Sequence, residues 1–176
     1  MKISILSTTT FPCPPQAYGG EVVIFDLAMG LYELGHEVLL HAVKNNDIDY
    51  PFQVNQLRHT YAFADWNAEF EALKYYENDI LDSDVILDMS HGKTVSQELH
   101  YKQHRKNICN YLIGNFWARP YPPFNIIVNS KKQLELGING MTGFEGTSFQ
   151  NDHQYSGVIS NTSKFVHLGT NTNFYT

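Results

Sequence analysis

Residues 1–43, MKISILSTTTFPCPPQAYGGEVVIFDLAMGLYELGHEVLLHAV, decide the fold. Lys2 to Ser7 has strand character, Thr8 to Gly20 is a proline-rich loop, and Glu21 to Leu34 is a mainly apolar helix. Gly35-His36 then turns the chain into a second strand, Glu37 to Val43. Strand, crossover helix and strand make the unit from which parallel sheets are built. Gly19 and Gly20 stand directly before the helix, so a partner can approach its free N–H groups. Those groups and the helix dipole favour an anionic or hydroxyl-rich partner. Two glycines also serve simply to turn a chain, and this stretch alone leaves both roles open.

Working outward, strand-like runs recur at Phe52 to Arg58, Asp84 to Met89, Asn107 to Ile113, Asn125 to Asn129 and Lys164 to Leu168. Most are short and apolar on both faces, as buried strands of a parallel sheet are. Between them lie an amphipathic helix, Trp66 to Leu81, and a more solvated one, Thr94 to Arg105. The alternation predicts a single α/β domain, a doubly wound, mostly parallel sheet with helices on both faces. Ligands of such sheets bind beyond the carboxyl ends of the strands. Four segments fall at that edge: Thr8 to Gly20, Ser90 to Lys93, Gly114 to Phe124, and a helix start after Ser130. Gly137 to Ser163, rich in Gly, Asn, Ser and Thr, reads as a long excursion with a hairpin around Tyr155 to Ile159.

Composition narrows the function classes. The chain of 176 residues is 43% hydrophobic, enough for one domain with a sizeable core. A net charge of −6 and scattered basic residues argue against a nucleic-acid partner. Cys13 and Cys109 are the two cysteines, which rules out a disulfide framework and a four-thiolate zinc site and fits a reducing, cytoplasmic setting. The start is too short and polar for a signal-peptide core, and no window reaches the roughly 20 apolar residues of a membrane span. A peripheral membrane association stays open.

Several residues carry chemistry. The run Asp88-Met-Ser-His91-Gly92 ends a strand and places an imidazole at the ligand edge, where it can bond a sugar hydroxyl or simply belong to the packing. In Gly114 to Phe124, Trp117 and its aromatic neighbours can pack on the C–H face of a sugar, and Arg119 can hold a phosphate or carboxylate. The same residues also suit an apolar seal over the sheet edge. His100 and His104 have helical metal-ligand spacing without the glutamate of the zinc-protease pattern, so a solvated face accounts for them better. Glu69 and Glu77, with seven residues between them, read as charges on the outer face of the amphipathic helix. The dinucleotide fingerprint and the P-loop sequence are both missing.

Taken together, residues 1–43, DVILDMSHG, NIIVNSKKQLE and FVHLGTNTNFY resemble, in order, the amino-terminal half of GT-B retaining glycosyltransferases of the group 1, or family 4, type. The matching positions in the first stretch are Gly19, Gly20, Glu21, Gly35, His36 and Val38. The resemblance implies a Rossmann-like acceptor-side domain over residues 1–168, with 169–176 opening a linker toward a carboxyl-terminal nucleotide-binding domain, in cis or on a separate chain. It implies transfer of a sugar from a nucleotide-sugar to a sugar or lipid-linked acceptor with retained configuration, no cofactor and no obligatory metal. By analogy Gly19, Gly20 and Glu21 line the donor or acceptor cleft, His91 contacts the transferred sugar as the candidate catalytic residue, and Ser130 is a cleft residue. Leu168-Gly169-Thr170-Asn171 departs from the family's usual N-G-V-D junction, so the contacts of those two polar side chains do not carry over. The family's own glutamate pair lies in the other domain, and its role does not transfer to Glu69 and Glu77. The resemblance implies a chain that is not competent alone. A free-standing sugar-binding or interaction module of the same fold is the alternative.

Overall fold

The computed structural model describes residues 1–15, 19–60, 65–104, 107–112, 125–128 and 164–165. The elements run β1 (Lys2–Leu6), α1 (Gly20–Glu33), β2 (Glu37–Ala42), β3 (Gln53–Gln56), α2 (Trp66–Leu81), β4 (Val85–Asp88), α3 (Thr94–Tyr101), β5 (Asn107–Leu112), β6 (Asn125–Val128) and β7 (Lys164–Phe165). The strands form one sheet in the order β3-β2-β1-β4-β5-β6-β7, and every described pairing is parallel. The doubly wound sheet expected from the sequence is therefore present. The helix expected after Ser130, the 137–163 excursion and the 169–176 linker lie outside the described residues.

Alternation along each strand feeds two cores. Ile3 and Ile5 of β1 and Val38 and Leu40 of β2 meet Ile24, Phe25 and Ala28 of α1 on one face. On the other, Leu6, Ile86 and Ile108 meet Ala72, Leu73 and Ile80 of α2 and Val95 and Leu99 of α3. Each fully buried side chain of this kind contributes about 1.5–3 kcal/mol. Both faces are covered, which is why the strands read as nearly continuous apolar runs.

The LGH turn of the opening stretch is a Schellman ending of α1. Gly35 takes φ 82°, its N–H bonds the Tyr32 carbonyl at 2.9 Å, and the His36 N–H bonds the Leu31 carbonyl at 3.1 Å. Helix α3 ends the same way: Gln103 at φ 57° bonds the His100 carbonyl, and the His104 N–H bonds the Leu99 carbonyl. This stop comes before the expected limit at Arg105 and puts His104 beyond the helix. His100 and His104 thus do not share a helical face, and among the described residues no cluster of three or more potential ligands could hold a metal. No helix among them is long and apolar enough to cross a membrane.

Beneath α2 runs a buried polar chain with one consistent proton direction. His41 Nε2 lies 3.2 Å from Ser4 Oγ, which lies 2.8 Å from Ser83 Oγ, and Ser83 Oγ donates to the Asp79 carbonyl at 3.0 Å. On the other side of the ring, Asn55 Nδ2 donates to Asp79 Oδ2 at 3.1 Å and stands 3.4 Å from His41 Nδ1. With Nε2 protonated and Nδ1 accepting, every proton in the chain has an acceptor. A second ring proton would face the Asn55 amide protons instead. Burial pushes the His41 pKa down to about 4, only partly opposed by the Asp79 charge. Unfolded, the ring titrates near 6.5, so the unfolded chain binds the proton first as pH falls. Stability is accordingly full above about pH 6.5 and is lost between that value and about pH 4, by roughly 3 kcal/mol from His41 alone. Urea midpoints measured from pH 7.5 to 4 should fall in this window, and His41→Gln should flatten the fall. An unchanged slope in the variant would refute the assignment.

Candidate functional site

From β1 the chain crosses to β2 on one side of the sheet, and after β3 it returns to β4 on the other. The order therefore reverses between β1 and β4, the switch point of the sheet, and in such sheets ligands bind beyond the carboxyl ends of the two strands there. One side of that edge is the loop that follows β1, the other the turn that follows β4.

The loop after β1 is long but heavily tied. Thr8 Oγ1 donates to the Glu21 carboxylate in the first turn of α1. The Thr60 N–H donates to the Thr9 carbonyl at 2.8 Å, and His59 Nε2 stands 2.9 Å from the Thr10 carbonyl. Farther on, the Cys13 N–H bonds the Val43 carbonyl, its Sγ donates to the Glu21 carbonyl at 3.3 Å, and Asn45 Nδ2 reaches the Pro14 carbonyl. Burial pushes the Cys13 thiol far above its ordinary value and the Cys109 thiol up to about 11, so neither offers a ready thiolate nucleophile.

At the head of α1, a Cβ on Gly19 would fall 2.7 Å from Glu21 Oε2. The buried carboxylate of Glu21 thus curls back beside Gly19 and takes the Thr8 hydroxyl. An anion brought to this helix end would meet a carboxylate, whereas a hydroxyl could donate to it. Gly19 is exposed, and Gly20, which opens the helix, is half-buried.

The turn after β4 is built from Asp88. Its Oδ1 accepts from the Ser90 N–H at 3.1 Å and Ser90 Oγ at 2.6 Å, and its Oδ2 from the Ser96 N–H at 3.2 Å and Ser96 Oγ at 2.6 Å. The strand end thereby caps α3 from outside. Ser96 Oγ also stands 2.8 Å from the Asn110 amide, extending the network to β5. Lys93 holds the cap position in left-handed conformation, φ 53°, with no side-chain cap of its own. Instead its Nζ is buried and donates to the carbonyls of Asp88 at 2.9 Å, Ser90 at 2.5 Å and Tyr111 at 3.0 Å. Burial pushes its pKa down, while Asp88 and Glu69 hold it up.

Glu69 departs from its expected place on the outer face of α2. It is 2% exposed, accepting the Gly92 N–H on both oxygens at 2.9 and 3.0 Å and the Thr94 hydroxyl at 3.1 Å. Burial pushes its carboxyl up, and the Gly92 bond pulls it back. Glu77 does lie outside, 3.0 Å from Lys102 Nζ. The difference is tertiary: the β4–α3 turn arrives over the first turn of α2 with a free N–H that needs an acceptor.

His91 sits in this turn, half-buried, with its pKa pushed down to about 4 by burial and then by the Lys93 charge. At neutral pH it is a neutral imidazole, able to bond a hydroxyl but a weak general base. Within the described parts of 7–20 and 89–93 the one Lys or Arg is Lys93, and its protons are spent on carbonyls. The structure therefore brings Gly19, Gly20, Glu21 and His91 to one sheet edge. Trp117, Arg119 and Ser130 lie outside the described residues.

Glu69, Lys93 and the first turn of α2 were missed from sequence. One signal was present: a lysine directly before a helix start, where Ser, Thr, Asp or Asn is the usual cap. Compared with known protein families and with curated proteins, the chain matches none of them.

Proposed function

We propose that this chain is the acceptor-side, Rossmann-like half of a retaining glycosyltransferase of GT-B architecture, one wall of a cleft in which a sugar passes from a nucleotide-sugar to an acceptor hydroxyl. The supporting observation is the chemistry of the β1–β4 edge. Its described groups are threonine hydroxyls, a neutral imidazole, a buried carboxylate beside a helix end and backbone amides, with the one Lys or Arg of the two loops buried. Such a set suits hydroxyls and lacks the cationic grip that a diphosphate takes. The nucleotide then belongs to a second domain, on this chain or another. His91 serves as a hydroxyl contact, and Gly19 and Gly20 keep the mouth of α1 open to the sugar.

Calorimetric titration with UDP-glucose, GDP-mannose and UDP should give dissociation constants weaker than about 1 mM, less than about 4 kcal/mol of binding free energy. In ¹H–¹⁵N NMR, methyl α-glucopyranoside or methyl α-mannopyranoside should shift amides of 8–10, 19–21 and 90–93. Submicromolar nucleotide binding to this chain, or sugar-induced shifts confined to other segments, would count against the assignment.

A further inference from the structure

Trp66, the first residue of α2, is held in an unusual way for a side chain that stays 47% exposed. A Cβ on Gly92 would fall 2.3 Å from Trp66 Cδ1 and 2.7 Å from its Nε1, so the pyrrole edge of the indole is pressed onto the bare backbone beside His91. The helix beneath it is pinned as well. Asp65 caps α2 by accepting the Ala68 N–H at 3.1 Å, and Glu69 clamps the Gly92 N–H. Arg58 ties the same turn, 3.1 Å from Glu71 and 4.0 Å from Asp65. One edge of a large aromatic ring is thus immobilised against the turn that carries His91, while about half of its surface faces solvent. An aromatic already fixed in place loses little conformational freedom when it takes a ligand, which is what makes a rigid indole an effective contact.

We infer that Trp66 is a stacking platform for a pyranose ring, with the neighbouring His91 imidazole bonding one of the ring's hydroxyls. The inference rests on the sugar-cleft reading above and adds to it a subsite on α2, an element none of the motif positions touches. A pyranose fits both halves of the arrangement, its C–H face on the indole and an equatorial hydroxyl toward the neutral imidazole. Gly92 is the condition for it, since any side chain there would push the indole away.

The chain has two tryptophans, so its ¹H–¹⁵N spectrum carries two indole N–H signals, and Trp66→Phe assigns one of them. Titration with methyl α-glucopyranoside and methyl α-mannopyranoside should move the Trp66 indole signal and the Gly92 amide together and saturably. Trp66→Ala should weaken that binding about tenfold, and Trp66→Phe less, as expected for a contact worth about 1.4 kcal/mol. Circular dichroism and retained dispersion of the amide spectrum confirm that each variant is folded. If sugars still shift 8–10, 19–21 and 90–93 with unchanged affinity in folded Trp66→Ala, the platform is refuted and the cleft survives. If no sugar shifts any of these signals, both fail. A saturable response of the indole to uridine or UMP but not to the glycosides would make the platform a base-stacking site and overturn the inference.

Discussion

Replacing Asp88 by alanine is expected to destabilise the chain by about 4 kcal/mol, a large share of the 5–15 kcal/mol that usually holds a domain folded. Asp88 is fully buried and accepts from two backbone N–H groups and two serine hydroxyls. Hydroxyls can turn toward other acceptors, but the Ser90 and Ser96 N–H groups have fixed directions. Each buried donor left without an acceptor costs about 1–3 kcal/mol. Removal of the carboxylate also takes away a counter-charge of buried Lys93, which Asp88 helps to keep protonated. Asp88→Asn should cost roughly half as much, since one oxygen remains and the shape is kept. Urea unfolding followed by circular dichroism measures both. A loss below 1 kcal/mol in Asp88→Ala would show that the turn does not depend on this carboxylate.

The second large effect is expected at Lys93. Lys93→Met keeps the length of the stem and removes the ammonium, leaving the carbonyls of Asp88, Ser90 and Tyr111 without their donor. A cost of about 3 kcal/mol follows, because carbonyls at the ends of two buried strands lose charge-assisted bonds. Lys93→Arg should not restore it, since a planar fork cannot replace a compact ammonium reaching three converging oxygens. The left-handed backbone supplies an internal control. At φ 53°, Lys93→Gly should be less damaging than Lys93→Ala by about 1 kcal/mol, although both lose the same bonds. Native-state hydrogen exchange should also show faster opening of the β4 and β5 amides in Lys93→Met, because Nζ joins those two strand ends. Equal stability of the wild type and Lys93→Met would sink this account.

These two residues bear on the candidate site through geometry. Asp88 and Lys93 set the path of the turn on which His91 and Gly92 lie, and Glu69 fastens that turn to α2. Variants at Asp88 or Lys93 should therefore weaken sugar binding by displacing His91 rather than by losing a contact with the sugar.

Much of the fold was legible because its causes are local. Short, nearly continuous apolar runs marked the strands, as with Glu37–Ala42 against the expected Glu37 to Val43. Gly35 marked the end of α1 because only a left-handed residue closes a Schellman turn there. Gln103 plays the same role at the end of α3 without a glycine to announce it, so that helix was expected to run too far. His91 and the Gly19–Glu21 segment could be placed at the ligand edge because parallel strands separated by helices all point one way.

The sequence by itself determined the alternation of strands and helices, the parallel sheet that follows from it, and the edge at which the loops gather. Hydrophobic burial is set by periodicity, and periodicity is written in consecutive residues. Tertiary structure alone decided what the polar residues do. Glu69 is charged and helical, and nothing within its own turn distinguishes it from Glu77; it is buried because the Gly92 N–H, 23 residues away, arrives unsatisfied above it. Lys93 is buried because three carbonyls converge where β4 and β5 end, and Trp66 lies on Gly92 because two separate turns meet there. A buried polar group must find its partner wherever the fold brings one, and that partner's distance along the chain carries no periodic sign.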